Sequence, residues 1–332
     1  MLGEHDEMLR EDNVEEELKG NEEEAWVAGA IEAMISAMKR GSVNEKLARA
    51  GSLINLSRGN SDNNSLIFEA EGVPAIVDAM CAHRNNLVIQ KLACQALNSK
   101  FANIFLIAKA DGVSAIIAAM RALYAHPDSC AIQELACKAL KDLTANEEIV
   151  GLILGAGGIP AIVAAMRTHL DRLEVQKKGC LVILSLIEME YEFYGEIISR
   201  ILEQGAIPVL VAAMRAHHNC PAMQSLACNI FSKLNQENQM NEDGKVQIRE
   251  TGGIAAIVAA IRAHPDDREM HDIGWMALMS LHRRASYDDE TFQPWEWLEP
   301  WDQSGGNQLA IVLGLETRAR LTGYRRKPKL YG

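Results

Sequence analysis

Residues 157–166 read Gly157-Gly158-Ile159-Pro160-Ala161-Ile162-Val163-Ala164-Ala165-Met166. The same wording occurs from Gly72 to Met80 (GVPAIVDAM), from Gly112 to Met120 (GVSAIIAAM), from Ile207 to Met214 (IPVLVAAM) and from Gly253 to Ile261 (GIAAIVAAI). A weaker first copy runs from Ile31 to Met38 (IEAMISAM). The closing residues fall at 38, 80, 120, 166, 214 and 261, so the steps are 42, 40, 46, 48 and 47. A period of this size marks a stacked repeat, in which each unit buries its apolar face only against its neighbours.

A second string follows each copy. It runs from Gln90 to Leu97 (QKLACQAL), Gln133 to Leu140 (QELACKAL), Gln176 to Ile183 (QKKGCLVI), Gln224 to Phe231 (QSLACNIF) and His271 to Leu278 (HDIGWMAL). Apolar residues at i, i+3, i+4 and i+7 make it a helix. In the third unit Leu135, Cys137, Ala139, Leu140 and Leu143 form the expected buried set. Ala136, Gly179, Ala227 and Gly274 are small enough to let neighbouring helices approach closely. Each unit then has three helices. In the fourth unit a short helix over 147–154 ends at Gly157-Gly158, where Gly supplies a left-handed turn. A second helix opens at Pro160, whose missing N–H costs nothing there, and runs to about residue 169. The third covers about 173–187.

Three helices in roughly 42 residues, joined at a Gly-Ile-Pro-Ala-Ile-Val junction, resemble the armadillo repeat. The likeness covers residues 25–284, with an acidic extension over 1–24 and a non-repeat tail over 285–332. The Ala-Ile-Val-Ala-Ala-Met-Arg wording is similar to the simple armadillo arrays of unicellular eukaryotes and to the armadillo region of the large leucine-rich-repeat kinases. The resemblance implies an all-α, right-handed superhelical solenoid of about six three-helix repeats. It also implies a concave groove lined by the third helices. Peptide-gripping armadillo proteins carry an Asn on each third helix, with a Trp about one turn earlier. Here the Asn position holds Asn55, Ser99, Asp142, Ser185, Lys233 and Ser280. The Trp position holds Gly51, Gln95, Lys138, Leu181, Asn229 and Met276, and Trp275 is one residue out of phase, on the core stripe. The ladder that grips an extended peptide survives once. The groove is therefore expected to hold a helical or folded protein segment, with Asn55, Gln95, Lys138, Asp142, Asn229 and Lys233 as polar contacts.

Composition agrees with a helical array. Aromatic residues are 5% of the 332, so Ala, Ile, Leu, Val and Met must build the core, which suits helices. The net charge of −12 disfavours a phosphate backbone as partner. Residues 1–24 hold eleven acids and two bases, a net of −9, and residues 317–332 hold six bases and no acid. The acidic segment, with apolar Met8, Leu9, Val14 and Leu18, reads either as a short amphipathic helix covering the first unit or as a solvated tail. The run from Phe292 to Trp301 gathers three of the five Trp, two of them between Pro294 and Pro300, and folding back over the last unit competes with recognition of a partner.

Motifs for chemistry are absorbed by the repeat. Cys94, Cys137, Cys180 and Cys228 share one core position, Cys81, Cys130 and Cys220 are scattered, and no CxxC occurs. His83, His126, His169, His217 and His264 follow the second helix, where a donor or cation can meet the last carbonyls. Arg121, Arg167, Arg215 and Arg262 read the same way, or as a basic stripe for an acidic partner. His217-His218-Asn219-Cys220 is the best candidate for a metal, yet capping explains its first histidine. The glycines from Gly155 to Gly158 follow a helix, not the strand a dinucleotide loop needs. No kinase, Walker or GxSxG sequence occurs. No enzyme, cofactor or metal is expected. The expected function is a non-catalytic interaction scaffold, with a regulatory module of a kinase or other enzyme system and a nuclear transport adaptor as alternatives. The free-cysteine pattern, the lack of a signal peptide and the short apolar runs lead to an expected cytoplasmic setting. Arg325, Arg326, Lys327 and Lys329 are a candidate import signal.

Overall fold

The computed structural model describes residues 26–42, 45–46, 49, 51–53, 56, 61–98, 104–123, 129–188, 194–234 and 242–282. No strand occurs among them. The second unit consists of helices Ser61–Glu69, Gly72–Ala82 and Leu87–Leu97; the third of Ile104–Lys109, Gly112–Leu123 and Cys130–Leu143. The fourth has Glu147–Gly155, Gly158–Thr168 and Leu173–Glu188. The fifth has Tyr194–Glu203, Ala206–Ala216 and Pro221–Leu234, and the sixth Glu242–Glu250, Gly253–Ala263 and Arg268–His282. In the first unit, helix 26–40 is the second helix. The expected bounds in the fourth unit are met within a residue or two.

The fourth unit shows why the chain folds this way. The Asn146 side chain accepts from the Ile149 amide at 3.2 Å and caps the first helix. That helix closes at Gly157, whose φ of +74° turns the chain so that the next helix leaves at 68°. Glycine is not the general answer to this turn, however. Glu71 and Asp111 hold the same left-handed conformation at φ 62° and 59°. The glycine one step later is the constrained one. A Cβ on Gly158 would lie 2.5 Å from Ile153 Cγ2 and 3.0 Å from its carbonyl oxygen. The junction needs the first and second helices of a unit to touch there.

By internal contacts the chain divides into two bodies, Met1–Val209 and Leu210–Gly332. In the first body, second helices pack on second helices (Gly72–Ala82 on Gly112–Leu123, and that on Gly158–Thr168). Third helices pack on third helices (Leu87–Leu97 on Cys130–Leu143, and that on Leu173–Glu188). In the second body, Pro221–Leu234 packs on Arg268–His282. Between the layers lies a core of Ile76, Met80, Ile116, Met120, Ile162, Met166 and their equivalents in the fifth and sixth units, all nearly fully buried. Each contributes about 1.5–3 kcal/mol by leaving water. Of the set expected in the third unit, Cys137, Ala139, Leu140 and Leu143 are buried, but Leu135 is only half-buried. Trp275 is half-buried too, whereas the cysteines at its position in other units are fully enclosed.

Candidate functional site

On each third helix one stripe stays in contact with solvent. Gln95, Lys138 and Leu181 hold the same register on three adjoining third helices of the first body, and Asp142 and Ser185 lie one turn further along. Lys138 and Asp142 are exposed, whereas Gln95 is half-buried. Asp142 pairs with its neighbour Lys141 at 3.7 Å. In the second body Asn229 and Lys233 are half-buried on Pro221–Leu234. On the adjacent Arg268–His282, Met276 holds the Asn229 register and is 48% exposed. The structure thus brings Gln95, Lys138 and Asp142 onto one face and, separately, Asn229 and Lys233. Asn55 lies outside the described residues. So do Ser99, His126, the Phe292–Trp301 run, the acidic segment 1–24 and the basic tail with Arg325, Arg326, Lys327 and Lys329.

The asparagine reading overlooks Asn98. Its Nδ2 donates to Cys94 O at 2.8 Å and, on the next unit's third helix, to Leu135 O at 2.7 Å. It ties two stripes together through backbone, one position before the expected ladder. The glutamine near the start of the third helix in units two to five is a second overlooked element. Gln176 Nε2 donates to Met166 O at 2.7 Å and His169 O at 2.8 Å, and Gln90 and Gln224 repeat the pattern at 2.9 Å. Gln133 donates to Met120 O at 3.0 Å. These buried amides satisfy carbonyls that the end of the second helix leaves unmade. Their identical place at the head of four of the five recurring strings is the available signal.

The arginine ladder works differently from either reading offered by the sequence. Arg121 Nη2 donates to Gly157 O at 3.1 Å, Arg167 to Gln204 O at 2.9 Å and Arg215 to Thr251 O at 3.1 Å. Each reaches the carboxyl end of the first helix in the following unit, not the end of its own helix. A cation does meet a helix C-terminus, but the neighbour's. In the first unit Lys39 plays a related part, pairing with Glu71 at 2.6 Å and holding that carboxyl below its usual range. The histidines also depart from simple capping. The His169 backbone amide closes its own helix on Ala165 O at 3.0 Å, while its ring lies 3.2 Å from Ser129 Oγ of the preceding unit. His264 Nε2 is 2.9 Å from His218 O, so that nitrogen carries the proton.

The four repeated cysteines are enclosed. Burial pushes Cys94, Cys137 and Cys228 up to about 12, and Cys180 is raised as well. A thiol held protonated is neither a nucleophile nor a ligand. Cys81 is exposed, and Cys130 and Cys220 are half-buried. Among the described residues no three His, Cys, Asp or Glu side chains converge on a metal-sized site. Nor is any single helix among them long and apolar enough to cross a membrane.

Three-helix units with second-on-second and third-on-third packing define the class: this chain has the armadillo-repeat fold. No protein-family model matches it, and no curated protein does. Solved structures do. Computationally designed armadillo repeat proteins for modular peptide recognition are similar at a TM-score of 0.60 and 18% identity, covering 75% of this chain and 99% of that one. A designed armadillo repeat protein in complex with the peptide (KR)4 gives 0.58 and 16%, covering 76% and 99%. An engineered protein gives 0.59 and 20%, covering 76% and 96%. At these identities the likeness establishes the fold.

Proposed function

We propose that this protein is a non-catalytic interaction scaffold whose third-helix face binds a protein partner. One observation carries the reading. Successive third helices present Gln95, Lys138 and Leu181 in one register, with Asp142 beside them, while the other faces of those helices are packed into core. A surface of mixed polar and apolar side chains on a rigid layer is what a protein partner recognises. The residues differ from unit to unit, so the face does not repeat one clamp. A helical or folded segment fits it better than an extended peptide held at regular intervals. In the second body, Asn229 and Lys233 are the polar residues we propose for that body's own third-helix face.

The test uses the full chain and its Lys138→Ala/Asp142→Ala/Lys233→Ala variant as baits in extract of the native cell. Proteins retained by the wild type and lost from the variant support the third-helix face. Identical capture by both refutes it. The (KR)4 peptide, bound by the designed relative, separates the transport reading. Saturable micromolar binding of that peptide to this chain would overturn the preference for a folded partner.

A further inference from the structure

We infer that the open end of the first unit is a docking face for the chain's own acidic amino-terminal segment. In units two to six, the residues four and five places before the closing Met or Ile are Ala75 and Ile76, Ala115 and Ile116, Ala161 and Ile162, Val209 and Leu210, and Ala256 and Ile257. All are 7% exposed or less. This is the side on which a unit meets its predecessor. A Cβ on Gly112 would lie 3.3 Å from Val77 Cγ2, and one on Gly158 3.4 Å from Ile117 Cδ1, each in the unit before. The first unit presents the same register uncovered. Ala30 and Ala33 are exposed and Met34 is half-buried.

The third helix repeats the contrast. Ala93 and Ala96, Ala136 and Ala139, Gly179 and Val182, and Ala227 and Ile230 are all buried. The equivalent residues in the first unit are Arg49, exposed, and Ser52, half-buried. Together with Leu56 they line an open hollow of about 620 Å3 with Ala30, Ala33 and Met34. A position that is Ala or Gly in every later unit therefore carries a guanidinium here. A further repeat unit with an Ala or Gly face could not lie against it without burying that charge, which is costly unless paired. An acidic occupant can.

Such an occupant is covalently at hand. Residues 1–24 carry eleven acids against two bases and in the sequence stop two residues short of helix 26–40, which carries Ala30, Ala33 and Met34. Met8 and Leu9 supply the apolar side chains to fill the hollow. They lie within reach, since 18 residues can span up to roughly 60 Å. Glu45 sits one turn before Arg49 and lowers the local positive potential, and Lys39 is taken up by Glu71, but Arg40 lies exposed on the helix that forms the other wall. Intramolecular attachment raises the segment's effective concentration to about the millimolar range, so a weak contact suffices to keep the face covered.

The experiment compares amide hydrogen exchange in the full chain with that in two full-length variants, Met8→Asp/Leu9→Asp and Arg49→Glu. Met8 and Leu9 are outside the repeat array and Arg49 is exposed, so neither change removes a core contact. Both variants should exchange at least tenfold faster over residues 26–34 and 49–56, with residues 158–168 unchanged. Protection at 26–34 that survives both variants overturns the assignment. So does protection that rises with protein concentration, which would place a second copy on the face instead.

Discussion

Replacing Gln176 by Leu tests the least conspicuous element of the repeat. Gln176 is fully buried and its amide serves Met166 O at 2.7 Å and His169 O at 2.8 Å. Leu keeps the volume and removes both donors. The Met166 carbonyl, buried at a helix end, then loses a partner at a cost of about 1–3 kcal/mol. His169 O keeps the Arg172 amide at 3.0 Å, so its loss is nearer one ordinary hydrogen bond, about 1 kcal/mol. Against these, Gln176 Oε1 is buried and finds no donor, and deleting it returns roughly 1 kcal/mol. The net destabilisation is about 1–3 kcal/mol, or roughly 5- to 150-fold in local opening. Gln90→Leu removes equivalent bonds at 2.9 Å, but its His83 end is only part-buried and water can replace the donor. Its cost should be about 1 kcal/mol. Hydrogen exchange over residues 162–183 and 76–97 reads the two sites separately, which a single melting curve of a repeat array does not. A smaller effect at Gln176 than at Gln90, or less than about 0.5 kcal/mol at both, would refute the role assigned to these amides.

Three further outcomes are expected. A thiol reagent at pH 8 should label Cys81, Cys130 and Cys220 rapidly, while Cys94, Cys137, Cys180 and Cys228 react only as fast as the array opens; fast labelling of all seven would contradict the packing. Because burial raises the enclosed thiols, protonated thiol stabilises the fold below their ordinary value near 9, and that stability is lost as pH rises from there toward about 12. Alkaline titration followed by circular dichroism should therefore show unfolding in that window, and alanine at the four sites should shift it upward. Arg167→Ala removes an exposed bond to Gln204 O and should cost about 0.5–1 kcal/mol, adding to Arg121→Ala within about 0.5 kcal/mol in urea unfolding; strong synergy would show that the ladder acts as one unit.

The helices were legible because apolar spacing and the Gly-Ile-Pro-Ala junction are local properties. The bounds in the fourth unit came out within a residue or two, and the shared cysteine position is core, as its place on the apolar stripe requires. What was not legible is what joins one unit to the next. The Arg167 bond spans 37 residues and the His169 contact 40, and both depend on the offset between stacked helices. Periodicity fixes how often a residue recurs, not which neighbour it touches. Periodicity alone therefore points the arginines to their own helix ends or to a basic stripe, and the histidine rings to caps. The local pattern points to glycine for the left-handed turn, which Glu71 and Asp111 also adopt. The third-helix residues were chosen by position, and position alone does not separate exposed Lys138 from half-buried Gln95.

These inter-unit bonds explain how so uniform an array can carry a variable surface. Arg121, Arg167, Arg215 and Asn98 all donate to backbone carbonyls of the next unit. A carbonyl is present whatever side chain occupies its residue. Neighbouring units can therefore be joined without constraining the solvent stripe of the third helix. That stripe reads Gln95, Lys138, Leu181 in the first body and Asn229, Met276 in the second, while the core positions beneath it hardly change. Stability resides in the repeated interior and its backbone clasps, and under the proposed function specificity would vary residue by residue on the third-helix face. Substitutions on that face should leave stability within about 0.5 kcal/mol while changing what is bound. For Lys138→Ala, urea unfolding measures the first and partner capture the second. A stability loss above 2 kcal/mol would mean that the face is part of the core's support and not a surface given over to recognition.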